Sequence, residues 1–140
     1  MSWIKSFCYP DYVYTSMAYL INIPTFSDER GNLTVLDEAI PFQIKRLFYI
    51  YGVDNSARGG HRHHQTVQAA ICIQGRCTII NHDGKKLEHI ELDEPKKCLI
   101  LETQDWHIMT NFSPDAILLV LANTNFDASD YIFDPYPESA

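Results

Sequence analysis

Three histidines and a glutamine stand in a pattern that suits proton transfer. His61 and His63 are two residues apart, Gln68 follows them closely, and His107 comes much later in the chain. If residues 57–65 are extended, both imidazoles of the His-x-His pair project from the same face of a strand. Because an imidazole has a pKa near ~6.5, two adjacent rings suit general acid–base catalysis at neutral pH.

The spacing around this pair resembles the two sequence motifs of the cupins. Four residues separate His63 from Gln68 and six separate Gln68 from Gly75, which reproduces the first cupin motif with Gln in place of the usual Glu. His107 and Asn111 form a partial second motif, with three residues between them. We therefore expect four side chains inside the mouth of a small β-barrel, those of His61, His63, Gln68 and His107.

A metal site is an alternative use of the same residues. Metal-binding cupins hold iron, manganese or a similar ion with three His and one Glu. Gln68 removes the anionic ligand, so the affinity for a cation should fall unless zinc accepts three neutral imidazoles. In a third interpretation the rings only fill the barrel, although burying three imidazoles without a function is costly. We favour free acid–base groups, with no metal and no cofactor.

Three arginines could bind an anionic group. Arg30 and Arg58 each precede a glycine and flank predicted strands, and Arg46 lies within an apolar strand where an unpaired charge would be expensive. Guanidinium groups match phosphate oxygens in bidentate geometry. Three of them near one barrel mouth would suit a pyrophosphate.

Strand signals dominate the chain, and no apolar period of 3.6 residues extends beyond about ten residues. Two glycine-containing turns, Gln74-Gly75 and Asp83-Gly84, are typical of β-hairpins. Short strands at regular spacing predict an all-β sandwich or barrel. The predicted strands span residues 19–23, 32–36, 42–51, 66–74, 77–81, 86–92, 98–102, 107–112 and 116–122.

The length and composition predict one globular domain over residues 1–140. The chain is 46% hydrophobic and 21% charged, which is ordinary for a folded domain that can bury its own core. Residues 1–17 form an aromatic-rich extension, which we expect to pack on the domain or on a second subunit. Residues 127–140 form a polar, proline-broken tail, for which we expect a short helix or a segment wrapped over the barrel mouth.

Charge and cysteine usage predict the compartment and exclude some partners. The net charge of −7 disfavours binding to nucleic acid or to an anionic membrane surface. The start of the chain has no targeting pattern, and no apolar stretch approaches the length of a membrane span. The four cysteines are scattered, and Cys72 and Cys98 lie in apolar runs, which favours buried, reduced thiols in a cytoplasmic protein.

Four stretches of the chain together resemble the dTDP-4-oxo-6-deoxyglucose 3,4-ketoisomerases of the sugar-isomerase cupin family. The resemblance runs from about residue 18 to residue 136. The more distant dTDP-4-dehydrorhamnose 3,5-epimerases share the Asp-x-Arg-Gly and Arg-Gly-x-His elements. The stretches are Arg58-Gly-Gly-His61-Arg-His63, Gln68-Ala-Ala-Ile-Cys-Ile-Gln-Gly75, Asp105-Trp106-His107-Ile-Met and Asp127-Ala-Ser-Asp130-Tyr131-Ile132.

The resemblance implies a fold, a reaction and a set of site residues. It implies a metal-free cupin jelly roll, a homodimer with an exchanged N-terminal strand, and a dTDP-linked 4-keto-6-deoxy sugar over the barrel mouth. The implied reaction is 3,4-ketoisomerisation through an enediol in deoxyamino-sugar biosynthesis. His61 and His63 match the catalytic pair and Tyr49 the active-site tyrosine. The residues that match the nucleotide diphosphate and sugar positions are Arg30, Arg46, Arg58, Gln68 and His107.

Two questions stay open at this level. Strict strand alternation puts Tyr49 and Arg46 on opposite faces, so only one of them points inward unless a bulge intervenes, and we favour Arg46. The product could belong to either C4 series, and the Arg30-Gly31 pair favours the fucose series. A 3,5-epimerase and a metal-dependent cupin oxygenase are the alternative functions, although His63 fits the isomerases better than the epimerases.

Overall fold

The computed structural model describes residues 18–137, whose regular structure is almost entirely β-strand. The predicted N-terminal extension and its strand exchange lie outside these residues. A single 3-10 turn, Ala128–Asp130, interrupts the strands, and no helix among residues 18–137 is long and apolar enough to cross a membrane. The strands are β1 (Tyr19–Asn22), β2 (Thr25–Asp28), β3 (Gly31–Thr34), β4 (Arg46–Ile50), β5 (Arg58–His63), β6 (Gln68–Gln74), β7 (Cys77–His82), β8 (Leu87–Leu92), β9 (Lys97–Leu101), β10 (Trp106–Thr110), β11 (Ile117–Ala122) and β12 (Tyr131–Ile132).

Ten of these strands form two five-stranded antiparallel sheets. The first sheet has the order β1-β9-β6-β11-β4, and the second has the order β12-β5-β10-β7-β8. The strands β2 and β3 form a separate hairpin. Chain neighbours such as β6 and β7 lie in different sheets, as in a jelly roll, where the chain crosses between the two layers. The predicted all-β, cupin-type architecture is confirmed.

The core lies between the two sheets. It contains Leu99 and Leu118 of the first sheet and Ile79 and Met109 of the second, all of them buried. Successive side chains of a strand point to opposite faces, and on the first sheet the alternate residues, such as Cys98 and Ile100, are buried in a second apolar cluster. At one end of this interface the apolar side chains give way to polar ones, and that end contains the candidate site.

The two predicted turns have different roles. The Asp83-Gly84 turn closes the β7–β8 hairpin as predicted, with His82 paired to Leu87. The prediction of a hairpin at Gln74-Gly75 is wrong, since β6 pairs with β9 and β11 while β7 pairs with β8 and β10. Gly75, at φ +70°, instead turns the chain from one sheet to the other. A glycine turn reports a reversal of direction, but it does not report which strands pair.

The cysteines of the described residues are as predicted. Cys72, Cys77 and Cys98 are free and buried. Burial raises the pKa of the Cys98 thiol to about 12, so this thiol stays protonated at neutral pH and packs as a small apolar group.

Candidate active site

One row of polar side chains crosses the inner face of the second sheet. His61 of β5 pairs with His107 of β10, and His107 pairs in turn with Asn81 of β7. Directly opposite residues in a sheet point to the same face, so the three side chains lie side by side. His107 and Asn81 are fully buried, at 1% and 0% exposure. The row forms the polar end of an otherwise apolar interior.

Two further polar residues face this row from the first sheet. Arg46 of β4 and Gln68 of β6 both pair with Ala122 of β11, which places them at the same level of the sheet. Phe48 and Ile50 of β4 pack on the core between the sheets, so Arg46, two residues before Phe48, points to the same interior, and its positive charge contributes to lowering the pKa of His63. The structure therefore brings together the predicted residues Arg46, Gln68, His61, His63 and His107.

The three histidine rings pack edge to face around His61. The centroid of the His61 ring lies 4.9 Å from that of His63 and 5.3 Å from that of His107, with interplanar angles of 84° and 65°. The ring of Tyr131 contacts both members of the pair, at 4.6 Å from His61 and 4.7 Å from His63. This packing confines each imidazole to a narrow range of orientations.

Hydrogen bonds fix two of the rings at Nδ1 and leave Nε2 without a partner. His63 Nδ1 lies 2.9 Å from Asp130 Oδ2, and His107 Nδ1 lies 3.0 Å from the Asp105 carbonyl oxygen. An unpartnered polar atom in a buried position is costly, so a cluster of them indicates a site that a ligand completes. The buried, unpartnered atoms at this end of the barrel are Arg46 Nε, His63 Nε2, Gln68 Oε1, Asn81 Oδ1 and His107 Nε2.

The environment keeps the imidazoles neutral. Burial, together with the charge of His63, lowers the pKa of His61 to about 4. Burial likewise lowers the pKa of His107 to about 4, despite the hydrogen bond to the Asp105 backbone. A neutral imidazole carries the lone pair that a general base needs. At neutral pH these rings can therefore accept protons.

Asp105 organises the far end of the row. Its carboxylate accepts hydrogen bonds from Asn81 Nδ2 at 2.9 Å and from the Glu102 backbone N–H at 2.7 Å. Burial raises the pKa of Asp105 to about 6, although these two hydrogen bonds act in the opposite direction. The bond to Nδ2 turns the amide oxygen of Asn81 away from Asp105, and that oxygen has no partner.

These pKa shifts predict acid destabilisation. Between pH 6.5 and about 4 the folded forms of His61 and His107 bind fewer protons than the unfolded chain, so their contribution to stability is lost as the pH falls. Asp105 acts in the opposite direction between pH 6 and 3.8, but two groups outweigh one. We expect the free energy of unfolding, measured by urea denaturation, to fall by about 2 kcal/mol between pH 7 and pH 4.5.

The control for this prediction is His107→Gln, which removes one of the two shifted imidazoles. Its free energy of unfolding should fall less steeply over the same pH range, whatever its value at pH 7. Equal slopes for the variant and the wild type would show that the buried His107 does not cause the acid sensitivity.

A β-bulge sets the position of Arg58. His107 pairs with His61 and Ile108 with Gly59, so Gly60 has no partner across the ladder. Gly59 and Gly60 have φ values of +88° and +82°, which favour glycine. The extra residue reverses the alternation, and Arg58 pairs with the buried Met109 on the same face of the sheet as His61. The side chain of Arg58 is exposed.

Two predicted residues are not brought to the histidines. Arg30 lies in the β2–β3 hairpin, where its side chain is 86% exposed and its Nη2 forms an ion pair with Asp28 at 2.6 Å. Tyr49 is 58% exposed on the outer face of β4, because the pairing of β4 with β11 is continuous and no bulge reverses its alternation. The placement of Tyr49 beside the histidines of the same chain is therefore corrected, and the alternation argument for Arg46 agrees with the structure.

Several site residues were not predicted. Asp130 and Tyr131 come from the C-terminal part of the chain. They lie in the Asp-Tyr-Ile stretch, which contributed to the family resemblance but had no role assigned to it. Asn81, like Arg46, is a polar residue in an otherwise apolar strand. The argument that a polar group in such a strand needs a partner or a ligand, made for Arg46, would also have identified Asn81. Phe126, whose ring lies 5.8 Å from the Arg46 guanidinium, has no comparable signal.

The C-terminal segment fastens onto the second sheet beside this site. Trp106 Nε1 donates to the Phe133 carbonyl at 3.1 Å, and the Tyr136 hydroxyl donates to the Gln104 carbonyl at 2.8 Å. The Arg62 guanidinium lies 4.8 Å from the centroid of the Tyr136 ring. The segment is thus held by three separate contacts and keeps the preceding Asp130 and Tyr131 against β5.

The described residues include no cluster of three or more His, Cys, Asp or Glu side chains arranged to hold a metal ion. His63 and His107 each use Nδ1 in a hydrogen bond within the protein and keep a buried Nε2 without a partner. Metal-ligating histidines share this pattern, so the difference from a metal-binding cupin is Gln68 in place of the carboxylate ligand.

Comparisons with known proteins agree with the resemblance found in the sequence. The family described as "FdtA: WxcM-like, C-terminal" matches residues 16–137. The TDP-4-oxo-6-deoxy-alpha-D-glucose-3,4-oxoisomerase of Aneurinibacillus thermoaerophilus is 38% identical over 116 residues, which cover 81% of this chain and 84% of the relative. The solved structure of the TDP-quinovose 3,4-ketoisomerase WlaRB from Campylobacter jejuni is 40% identical with a TM-score of 0.81, covering 84% of this chain and 92% of that one. The TDP-fucose-3,4-ketoisomerase WlaRA from the same organism is 38% identical with a TM-score of 0.79, covering 84% and 89%.

A jelly roll with paired histidines inside one end defines a cupin-type protein. The family matches over all of the described residues, and relatives near 40% identity narrow this class to the sugar isomerases. The chain belongs to the WxcM-like family of sugar 3,4-ketoisomerases. The resemblance inferred from the sequence motifs is confirmed.

Proposed function

We propose that this protein moves the ketone of a TDP-linked 4-keto-6-deoxyglucose from C4 to C3. The observation that carries the proposal is the pair of neutral imidazoles of His61 and His63, whose ring centroids lie 4.9 Å apart at the buried polar end of the barrel. The substrate class is the one in the name of the Aneurinibacillus relative. The place of the reaction is deoxyamino-sugar biosynthesis.

The reaction needs two proton transfers between adjacent carbons. The C4 ketone acidifies the C3 hydrogen, and a neutral imidazole removes it, which gives an enediol spanning C3 and C4. Proton delivery to C4 and loss of the proton from the C3 oxygen then leave the ketone at C3. No hydride is transferred, so the pair of histidines supplies the proton acceptor and the proton donor without a redox cofactor.

The enediolate intermediate carries negative charge that the site must stabilise. Arg46 faces His63 from the opposite sheet and has a buried Nε–H without a partner. A fixed donor in a buried site stabilises developing charge more strongly than water does. Gln68 and His107, at the same end of the barrel, contact the sugar.

Incubation with TDP-4-keto-6-deoxyglucose in deuterated water tests the proposal. We expect deuterium at C4 of a TDP-3-keto-6-deoxyhexose, read by NMR, and the same spectrum reports whether C4 has the fucose or the quinovose configuration. The Arg30-Gly31 pair favours the fucose series. Deuterium at C3 and C5 with the ketone still at C4 would identify a 3,5-epimerase instead and would overturn the proposal.

Activity without a metal is part of the same proposal. Gln68 stands where a metal cupin has its carboxylate ligand, so three neutral imidazoles would have to hold a cation without an anionic ligand. We expect full turnover after dialysis against a chelator and no stoichiometric metal by elemental analysis. Loss of activity on chelation that iron, manganese or zinc restores would establish the alternative, a metal-dependent cupin enzyme.

Arg58→Ala should weaken binding of TDP by about 10- to 100-fold, because a lost charge-assisted hydrogen bond to phosphate has that effect. Arg58 is exposed, and its pairing puts it on the face of the sheet that carries His61. The affinity is measured by calorimetric titration with TDP. Arg76→Ala removes the same charge next to Gly75, outside the polar end of the barrel, and should leave the affinity unchanged. Equal affinity in both variants would refute the phosphate role of Arg58.

We also propose that the protein is a homodimer. Large apolar side chains are exposed on the outer face of β4 and just beyond it, with Leu47 at 54%, Tyr49 at 58% and Tyr51 at 68%. A contiguous apolar face of this kind is typical of an interface. Sedimentation equilibrium should give twice the chain mass, and Leu47→Glu should shift the protein toward a monomer. A wild-type monomer at all concentrations would refute the dimer.

The cytoplasmic location remains a prediction.

A further inference from the structure

A buried carboxylate lies directly behind one member of the histidine pair. Asp130 is 8% exposed, and its Oδ2 lies 2.9 Å from His63 Nδ1. The same Oδ2 accepts a hydrogen bond from the Thr66 hydroxyl, and Oδ1 accepts one from the Gln65 backbone N–H at 2.7 Å. The carboxylate is therefore held by three groups, one from the last residue of β5 and two from the segment that follows it, and its position is fixed relative to the ring.

The local fold explains how a residue near the end of the chain reaches this position. Asp127 caps the 3-10 turn Ala128–Asp130, with its side chain accepting from the Ser129 backbone N–H. Tyr131, the next residue, pairs with His63 in the β12–β5 ladder, and the Asp130 carbonyl accepts from the His64 backbone N–H at 2.9 Å. This pairing places the Asp130 side chain beside the His63 ring.

His61 and His63 differ in the charge of the group that acts on the ring from within the protein. The backbone of Gly59, a neutral group, acts on His61 by raising its pKa, but burial outweighs this effect. His63 has a hydrogen bond with a carboxylate, and a carboxylate both fixes the tautomer of an imidazole and stabilises the imidazolium that forms on protonation. The structure therefore gives the two rings unequal capacities to carry a proton.

We infer that Asp130 is a positioning residue, which holds the Nδ1–H tautomer of His63 and offsets the charge of its imidazolium, so that Nε2 exchanges protons with the sugar. The inference rests on the proposed function. In each turnover Nε2 gains one proton and returns it, while the Nδ1 proton stays in the hydrogen bond to Asp130. No net charge is stored and no further reactant is needed.

The surroundings of His63 explain why such a counter-charge is needed. Burial lowers the pKa of His63, the hydrogen bond and charge of Asp130 raise it, and the charge of Arg46 from β4 lowers it again. A positive charge on His63 also lowers the pKa of His61, on the same strand, and of His107, on β10. The phenol of Tyr131 completes the contacts of the ring. Asp130 thus opposes both burial and the positive charge of Arg46.

The carboxylate itself is charged in this environment. Burial raises the pKa of Asp130, but the hydrogen bonds from Thr66, the Gln65 backbone and His63 outweigh it, and the pKa of the carboxyl lies below its ordinary value. Because the Asp130 carboxylate is ionised, it accepts a hydrogen bond from the Nδ1–H of His63. The lone pair of the neutral imidazole therefore lies on Nε2.

The test compares Asp130→Asn with Asp127→Asn. An amide at position 130 can donate to Nδ1, which favours the Nε2–H tautomer and removes the negative charge. Asp127→Asn alters the cap of the same turn but keeps the Asp130 carboxylate, so it controls for damage to the turn. We expect Asp130→Asn to lower the plateau kcat by on the order of 10²-fold or more, and Asp127→Asn to stay close to wild type.

Three readouts separate positioning from a structural role. The acidic limb of kcat/KM should shift to lower pH in Asp130→Asn, because removal of the carboxylate charge lowers the pKa of His63. The ¹⁵N shifts of the His63 ring should report a proton on Nδ1 in the wild type and on Nε2 in the variant. Calorimetric affinity for TDP and the thermal midpoint should change no more in Asp130→Asn than in Asp127→Asn.

Each outcome has a defined meaning. An Asp130→Asn variant with wild-type kcat and an unshifted pH profile would overturn the inference. Equal losses of kcat in both variants, accompanied by equal losses of stability, would assign Asp130 a structural role and also overturn it. If the wild type does not isomerise TDP-4-keto-6-deoxyglucose, the proposed function fails, while the ¹⁵N shifts of His63 still decide whether Asp130 sets the tautomer.

Discussion

His61→Asn and His63→Asn should each lower the rate of ketone migration by on the order of 10²- to 10⁴-fold, the usual size of general acid–base catalysis. Proton transfer is the whole reaction, and an asparagine side chain does not titrate in the working range. The rate is measured from product formation by NMR in deuterated water. Deuterium incorporation at C3 of recovered substrate shows separately whether the first proton transfer still occurs.

The matched control is His64→Asn. His64 is the neighbouring residue in the sequence, but it is exposed and its ring does not join the row of histidines. We expect its turnover to equal that of the wild type. Near-normal turnover in both His61→Asn and His63→Asn would end the acid–base mechanism, whereas loss in only one would identify the ring that moves the proton.

Gly59→Ala should destabilise the protein by about 2–3 kcal/mol, through backbone strain and a steric clash. A Cβ at Gly59 would lie 2.9 Å from the His107 carbonyl oxygen, and the φ of +88° disfavours a side chain. The clash is with backbone of the neighbouring strand, so relief requires the bulge to open. We expect turnover to fall as well, because the bulge aligns both His61 and Arg58 with the site.

Gly60→Ala is the comparison that separates strain from clash. Gly60 has a similar φ of +82°, but its added Cβ would meet only the Trp106 ring, at 3.9 Å. We expect a loss of about 1 kcal/mol in the free energy of unfolding, measured by urea denaturation, from backbone strain alone. If the two variants unfold with the same free energy, the close approach of β5 to β10 at Gly59 does not contribute.

The sequence predicted the parts of the site that depend on local geometry. His61 and His63 share a face because a strand has a period of two, and this holds wherever the strand lies in the fold. The same period placed Arg46 inward and Tyr49 outward, as the structure has them. The architecture also followed from local signals, since short strands with regular turns leave few alternatives to a sandwich or barrel.

The remaining parts depend on long-range pairing, which no local pattern encodes. The bulge at Gly59 and Gly60 is visible only in the register between β5 and β10, and it decides which face Arg58 occupies. Asp130 reaches His63 across 67 positions of sequence through the β12–β5 ladder. The glycine turn at Gly75 likewise shows a change of direction, but the sheet assignment of β7 comes from its distant partner β10.

The order of the strands along the chain has a consequence for how the histidine site is assembled during synthesis. Strands β1 to β11, which contain the apolar core and all three inward-facing imidazoles, leave the ribosome before residue 127 does. Asp130 and Tyr131 follow, and Tyr131 begins β12, the last strand of the described residues. A nascent chain can therefore bring the apolar core together first, and His63 gains its hydrogen-bonded carboxylate only when residues 130–132 emerge and pair with β5.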